Sequence, residues 1–177
     1  MNSEVPVHDE ALEQLLAKQA ITERLHDYAR AMDRMDDELG YSVFHAGAVA
    51  DYGTMYQGTG HGFIAFVHAA HAQLLAHTHQ LGSMSIAVDG ERAVSETYVT
   101  ATLRGRAPDG SLFDIRSCGR YLDRWERRAG RWAISARQYV HELDARMPVH
   151  DADYEATGRR DRSDPSYALF ESLGNRA

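Results

Sequence analysis

The sequence predicts an α+β fold, with helices first and a strongly curved antiparallel sheet after them. Apolar residues recur at helical spacing in the first part of the chain. From residue 79 onward the pattern changes to long strands separated by glycine-containing turns. This order of elements is typical of an α+β domain, and a curved sheet closed off by a helix leaves a concave interior where ligands bind.

A long amphipathic helix is predicted over residues 9–35, with Asp9 as its N-cap. Its apolar positions are Leu12, Leu15, Leu16, Ile21, Leu25, Tyr28, Ala29 and Met32. The elements expected next are a short helix over 37–44, a strand over 51–56, a turn over 57–60 and a third helix over 61–77.

The sequence after the third helix predicts a four-stranded antiparallel meander. Its strands are expected over residues 81–88, 93–103, 112–125 and 131–143, with turns at 89–90, 108–110 and 128–130. We expect one domain over residues 1–150 and a polar C-terminal tail over 151–177. The tail is either loose or covers the barrel or a neighbouring subunit, with Tyr167, Leu169 and Phe170 as possible docking residues.

Composition limits the classes of partner. The net charge of −7 over 177 residues argues against binding to the nucleic-acid backbone. Cys118 is the only cysteine, so neither an intramolecular disulfide nor a cysteine-based zinc site is expected. The N-terminus has no apolar signal region and no apolar run reaches the length of a membrane span, so we expect a cytoplasmic protein without a membrane partner.

Five segments resemble SnoaL-like domains of the nuclear transport factor 2-like superfamily. They are residues 28–33 (YARAMD), 77–82 (HTHQLG), 93–98 (AVSETY), 119–125 (GRYLDRW) and 130–137 (GRWAISAR). The resemblance covers about residues 10–149 and implies a cone-shaped α+β barrel, in which N-terminal helices pack on an antiparallel sheet with a mixed edge. Such proteins include scytalone dehydratase, hexachlorocyclohexane dehydrochlorinase, bile-acid dehydratase, ketosteroid isomerase, polyketide cyclases, formaldehyde-releasing lyases of lignin-derived diols, and non-catalytic binding domains.

The resemblance also implies four site residues. The eliminating members of the family use an Asp near the end of the first helix and a His at the start of the first meander strand, which match Asp33 and His79. The dehydrochlorinase adds a basic residue one and a half turns before that Asp and an Arg on the last strand. Tyr28 and Arg137 match those positions, and the tyrosine departs from the basic residue in a way that suits an oxygenated substrate better than a halide.

These residue types suit proton abstraction followed by loss of a neighbouring group. A histidine exchanges its proton near neutral pH, and a carboxylate such as that of Asp33 fixes its tautomer. Tyr28 and Arg137 would bind a carbonyl or leaving oxygen. We therefore predict a lyase without metal or organic cofactor that acts on a bulky aromatic or polycyclic substrate, by dehydration or by formaldehyde release, in a homo-oligomer such as a dimer or trimer.

Other interpretations fit the same sequence. The fold is also compatible with a ketosteroid-isomerase-like isomerase, a non-catalytic module that binds a small molecule or partner, and the β subunit of a ring-hydroxylating dioxygenase. A metal site is a further alternative, since His61, His68, His71, His77 and His79 are close in sequence. We expect His68 and His71 to lie at the surface or the pocket rim. Strand alternation puts Arg137 opposite Trp132 and Ile134, so it lies outside if that apolar face is the core.

Overall fold

The computed structural model describes residues 7–150 and 156–174. In chain order the elements are α1 (Val7–Arg34), α2 (Asp37–Ser42), β1 (Phe44–Asp51), β2 (Gln57–Thr59), α3 (Gly60–His71), β3 (Ala76–Asp89), β4 (Arg92–Arg106), β5 (Leu112–Arg128), β6 (Arg131–Val149) and α4 (Pro165–Glu171). The six strands form one sheet in the order β2-β1-β6-β5-β4-β3. The predicted α+β class is confirmed, with a sheet that is curled rather than closed.

The sheet is mixed because β1 runs parallel to β6, while the other neighbouring strands are antiparallel. The predicted meander corresponds to β3–β6, and each of these strands is longer than the sequence pattern indicated. The edge strands are β2 and β3. β3 also contacts α1, so the long helix lies against this edge of the sheet and helps to enclose its concave face.

The core begins part-way along α1. Its buried positions lie on one face of the helix, at the three- and four-residue spacing of an apolar stripe, and are Ala17, Ile21, Leu25, Tyr28, Ala31 and Met32. The sequence predicts the same role for Leu12, Leu15 and Leu16, but each is more than half exposed. The first turns of α1 therefore extend beyond the packed core, and an apolar helical pattern alone does not show where that core starts.

The end of α1 is defined by a Schellman motif. Met35 has a positive φ of 53°, the amide of Asp36 donates to the carbonyl of Ala31 at 3.0 Å, and the amide of Met35 donates to that of Met32 at 3.4 Å. The helix consequently stops at Arg34 and leaves Asp33 in its last turn.

The structure corrects the predicted elements between residues 44 and 77. The strand expected over 51–56 is wrong, because residues 52–56 join β1 to β2, and β2 lies within the expected turn. α3 ends at His71, and β3 begins at Ala76 instead of continuing the helix. The sequence of β1, FHAGAVAD, has weak strand propensity, but pairing with β2 and β6 overrides it.

Two β-bulges in β6 determine which side chains face the interior. Trp125 pairs with Ile134 and Arg124 with Ala136, which leaves Ser135 as an extra residue. The bulge shifts the alternation by one, so that Ile134 and Arg137 are both buried. A second bulge leaves Glu142 as the extra residue between Leu143 and His141.

Part of the C-terminal tail packs against the end of α1. The Tyr167 hydroxyl donates to Asp36 Oδ2 at 3.0 Å, and the Arg30 guanidinium lies 4.7 Å from the Tyr167 ring centroid. Tyr167 is buried, whereas Leu169 and Phe170 are largely exposed. Of the three residues expected to dock the tail, Tyr167 is therefore the one that is buried.

Candidate active site

Hydrogen bonds join the end of α1 to the start of β3. His77 Nε2 donates to the carbonyl of Met32 at 2.8 Å, and the amide of His79 donates to Asp33 Oδ2 at 3.1 Å. The Thr78 hydroxyl donates to the same oxygen at 3.3 Å. Because the bonds come from three successive residues of β3, they fix both the height and the rotation of the strand against the helix.

The structure brings Asp33 and His79 together. His79 Nδ1 lies 2.8 Å from Asp33 Oδ1, and both side chains are mostly buried. Asp33 is at the carbonyl end of a helix, where the aligned peptide dipoles disfavour a negative charge, and the donors from β3 offset that cost. With Nδ1 donating to the carboxylate, His79 presents Nε2 as a proton acceptor.

His79 lines a cavity of about 630 Å³ inside the cone. Its walls are mainly aromatic and aliphatic, and the lining residues are Tyr28, Met32, Tyr52, Gly53, Thr54, Met55, Phe63, Val67, His71, His79, Val99, Ala101, Leu103, Ile115, Ser117, Tyr121, Tyr139, His141 and Asp144. The rings of Tyr52 and Phe63 are stacked with centroids 3.6 Å apart. A second groove, of about 710 Å³, lies on the outer face of the sheet and is lined by residues such as Val94 and Leu122. It contains neither member of the Asp33–His79 pair, which we call the dyad.

Two buried phenols form a hydrogen-bonded pair in the cavity wall. The hydroxyl oxygens of Tyr28 and Tyr52 are 3.0 Å apart. Burial raises the pKa of Tyr28, and the charge of Arg137 opposes part of that rise. Burial also raises the pKa of Tyr52 well above its ordinary value. Both side chains are consequently neutral phenols at physiological pH and can donate a proton in a hydrogen bond.

Arg137 lies behind the cavity wall. Its Nε and Nη2 donate to the two carboxylate oxygens of Asp123 at 2.7 and 2.8 Å, and both side chains are fully buried. The guanidinium carbon lies 4.0 Å from the Tyr121 ring centroid and 4.2 Å from that of Tyr28. The expected direct contact between Arg137 and a substrate oxygen does not fit this position, because the two rings stand between it and the cavity.

The Arg137–Asp123 pair keeps its charges despite burial. Burial is the largest influence on Arg137 and by itself would lower its pKa, but the charge of Asp123, its hydrogen bonds and the neighbouring tyrosines together raise that pKa well above its usual range. Burial raises the pKa of Asp123, and the charge and hydrogen bonds of Arg137 oppose that rise. A positive charge is thereby held under the rings of Tyr28 and Tyr121, a favourable cation–π arrangement.

His71 and His77 pack beside His79, which corrects the expectation that His71 lies at the surface or rim. The ring centroid of His71 is 4.3 Å from that of His77 and 5.6 Å from that of His79. Burial, followed by the neighbouring histidines and Arg160, lowers the pKa of His71 from 6.5 to about 3. Burial also lowers the pKa of His77, although its bond to Met32 opposes the shift. Both imidazoles are neutral at physiological pH.

His68 is also buried, where it forms a second His–Asp pair with Asp37 of α2. Its ring is outside the cavity that holds His79. No group of three or more His, Cys, Asp or Glu side chains within residues 7–150 and 156–174 is arranged to hold a metal ion. In that same part of the chain, no helix is long and apolar enough to cross a membrane.

The sequence pattern did not single out several cavity residues. His141 and Asp144 lie at the rim of the cavity, where His141 Nε2 is 3.3 Å from Asp144 Oδ1. Both side chains face inward because of the bulge at Glu142. Tyr139 packs so closely over Gly119 that a Cβ at that position would lie 2.4 Å from the phenol oxygen. The glycine after Cys118 was a usable signal for this contact, whereas the bulge left no clear signal in the sequence.

The model of the SnoaL-like domain family matches residues 13–138. The chain belongs to the SnoaL-like family. A comparison with curated proteins gives no match.

Solved structures share this SnoaL-like fold at low identity. A candidate scytalone dehydratase from Novosphingobium aromaticivorans has a TM-score of 0.65 at 19% identity, over 82% of this chain and 95% of that one. Hexachlorocyclohexane dehydrochlorinase LinA-type3 from Novosphingobium barchaimii has a TM-score of 0.65 at 15% identity, over 80% of this chain and 96% of that one. A candidate aromatic ring hydroxylase from N. aromaticivorans has a TM-score of 0.61 at 22% identity, over 74% of this chain and 92% of that one.

Removing Arg137 alone should be strongly destabilising. Arg137→Met leaves Asp123 buried without its counter-charge, and we expect the free energy of unfolding to fall by about 3–5 kcal/mol. The double variant with Asp123→Leu should lose less, because no uncompensated charge is left. Urea unfolding of the variants measures this, and equal stability of Arg137→Met and the wild type would contradict the buried pair.

His71 should make the stability sensitive to acid. The folded protein keeps this imidazole neutral, whereas the unfolded chain takes up a proton below about pH 6.5, so the contribution of His71 is complete above that pH and is lost as the pH falls toward about 3. Below about pH 6, we expect the unfolding free energy of the wild type to fall more steeply than that of His71→Leu, by up to about 1.4 kcal/mol per pH unit.

Urea unfolding across this pH range tests the expected slope. His26→Gln, a change at an exposed position of α1, is the matched control and should keep the slope of the wild type. Parallel curves for His71→Leu and the wild type would show that His71 is not held neutral.

Proposed function

We propose that this protein is a cofactor-independent lyase that removes water from a bulky, hydroxylated aromatic or polycyclic ketone. The observation that supports it most is the His79–Asp33 dyad at the wall of an aromatic-lined cavity. SnoaL-like proteins of similar fold include a candidate dehydratase and a dehydrochlorinase, and both names describe eliminations.

The first chemical step would be proton abstraction by His79. Its Nε2 takes the proton from the carbon next to the substrate carbonyl, and Asp33 stabilises the imidazolium through Nδ1–H. The electrons of the broken C–H bond form the new double bond of an enolate. A carboxylate that already accepts three hydrogen bonds needs little reorganisation when the imidazole becomes charged.

The second step would be loss of the hydroxyl group, assisted by Tyr28 with Tyr52. The enolate re-forms its carbonyl, a carbon–carbon double bond forms, and the C–O bond breaks. The departing oxygen takes a proton from the Tyr28 phenol and leaves as water, and the proton on His79 returns to Tyr28 by way of that water. The donation from Tyr52 partly stabilises the transient phenolate.

Arg137 would act through Tyr28 and not on the substrate. Its guanidinium lies under the Tyr28 ring and its charge lowers the cost of a phenolate there. This makes Arg137 a positioning residue, whose loss should affect folding at least as much as chemistry. The roles that the family resemblance implies for the other three residues are kept: Tyr28 contacts the substrate oxygen, His79 is the base, and Asp33 orients it.

The shape and chemistry of the walls support this substrate class. A cavity of about 630 Å³ accommodates a molecule of two to three rings, and stacked Tyr52 and Phe63 offer a flat aromatic surface. The same base can instead remove a hydroxyl proton from a diaryl propanediol, which breaks a C–C bond and releases formaldehyde. The two reactions differ in product, so a substrate screen distinguishes them.

We expect the purified protein to convert at least one member of a panel of bicyclic β-hydroxy ketones and diaryl propanediols. Mass spectrometry would report loss of water or of formaldehyde. NMR would detect a product of unchanged mass, as the alternative isomerase would give. Binding of panel members without any conversion would contradict the lyase and favour a binding module.

On the substrate so found, His79→Gln should lower kcat by about 10²–10⁴-fold, the usual effect of removing a general base. The free energy of unfolding should change by only about 1 kcal/mol, since a polar side chain of similar size replaces the imidazole. Asp33→Asn should lower kcat in the same manner, and the double variant should be little worse than either single one because the two residues act as a unit.

The second His–Asp pair supplies a matched control. His68→Gln removes a buried imidazole from its contact with Asp37 but lies outside the cavity, so it should keep a near-native kcat. Turnover by His79→Gln at the level of His68→Gln would show that His79 is structural.

A further inference from the structure

His71 is placed to act on the same substrate as His79. It is the last residue of α3, lines the cavity, and is 6% exposed. Its ring centroid is 5.6 Å from that of His79. Two imidazoles at this separation can reach neighbouring atoms of one bound molecule.

The hydrogen bonding of His71 differs from that of its neighbours. His77 and His79 each use one ring nitrogen to donate to a carbonyl or carboxylate. Nδ1 of His71 is fully buried and has no partner within the described residues. A buried N–H without an acceptor is rarer and costlier than a buried acceptor without a donor, so the proton belongs on Nε2.

The surroundings keep this imidazole uncharged. Arg160 donates to the main-chain carbonyls of His71 and Leu74 at 2.8 and 2.9 Å, which holds a positive charge close to the ring. The rings of His77 and His79 also pack against it, with centroids 4.3 and 5.6 Å away. Burial and these neighbours lower the pKa of His71 to about 3. A neutral ring can donate from Nε2 without opposing the imidazolium that forms on His79.

We propose that His71 is a further catalytic residue, whose neutral Nε2–H donates a hydrogen bond to the substrate carbonyl oxygen and stabilises the enolate formed when His79 removes the adjacent proton. This inference rests on the proposed lyase function. The proton moves from carbon to His79 Nε2, the C–H electrons form the C=C bond of the enolate, and the carbonyl π electrons move to the oxygen. His71 keeps its own proton throughout.

The arrangement assigns complementary tasks to the two rings. His79 offers a bare nitrogen and His71 an N–H, which match the acidic C–H and the carbonyl oxygen of one H–C–C=O unit. A donor aimed at an oxygen that gains negative charge contributes more in the transition state than in the ground state. A neutral imidazole is known to polarise a carbonyl in this way when its environment lowers its pKa.

Two probes with the same ring system test the proposal without a known substrate. The oxygen of 2-naphthol stands for the enolate oxygen, and naphthalene lacks it. We expect the wild type to prefer 2-naphthol, and His71→Leu to lose about tenfold of that preference while binding naphthalene unchanged. His71→Gln, whose amide nitrogen overlaps the position of Nε2, should restore most of it. Titration calorimetry gives both dissociation constants.

Stability separates this role from a structural one. Because Nδ1 has no partner, His71→Leu should melt at or above the wild-type temperature at neutral pH. With a substrate identified, its kcat should fall about 10²–10³-fold, the cost of one lost donor to a developing oxyanion. A fall in stability together with equal weakening of both probes would mean that His71 only packs the wall.

The outcomes also separate this inference from the function it rests on. If the wild type prefers 2-naphthol and His71→Leu keeps the full preference, the role of His71 is overturned while the lyase stands. If the wild type binds neither probe, or if His79→Gln keeps native turnover, the proposed lyase function itself is rejected, and the role of His71 is rejected with it. Should His71→Leu not fold, His71→Gln and His71→Met give the same comparison between a side chain with the donor and one without it.

Discussion

The attachment of α1 to the edge strand β3 is the contact on which the site depends. Within the described residues β3 pairs with one strand, β4, and α1 packs along its other edge. The bonds from His77 to the Met32 carbonyl and from His79 to Asp33 supply that attachment, and they close the cone over its interior. The dyad is thus part of the structural joint, and its geometry is as rigid as the packing of helix on sheet.

Periodicity and turn residues predicted the long helix and the meander because both are local signals. Leu25 and Met32 follow the helical repeat, and Asp89-Gly90 turns β3 into β4. β1 could not be predicted in the same way, since its alanines and glycine favour no strand and its pairing partner β6 is about ninety residues away. The bulge at Ser135 is likewise non-local, and it alone lets Ile134 and Arg137 share the interior.

The site was only partly predictable for a related reason. A family resemblance matches residues one at a time, and it identified Asp33 and His79 at positions that the structure brings together. It carries no information on what surrounds each residue. Asp123 has no counterpart in that reasoning, yet its carboxylate decides where the Arg137 guanidinium points. The helical pattern around His71 does not show that its side chain turns inward, where the ring packs against that of His77.

The charge distribution in the depth of the cavity favours a neutral substrate. Asp33 is already paired with donors from β3, and Arg137 with Asp123. The groups left to meet a ligand include the neutral phenols of Tyr28 and Tyr52 and the neutral imidazole of His71. Such a lining contributes little binding energy to a substrate that is already an anion in the ground state. When a proton moves to His79, the substrate becomes an enolate and the dyad becomes an ion pair, so charge appears only during the reaction. Binding energy is then reserved for the transition state, where it accelerates the chemistry.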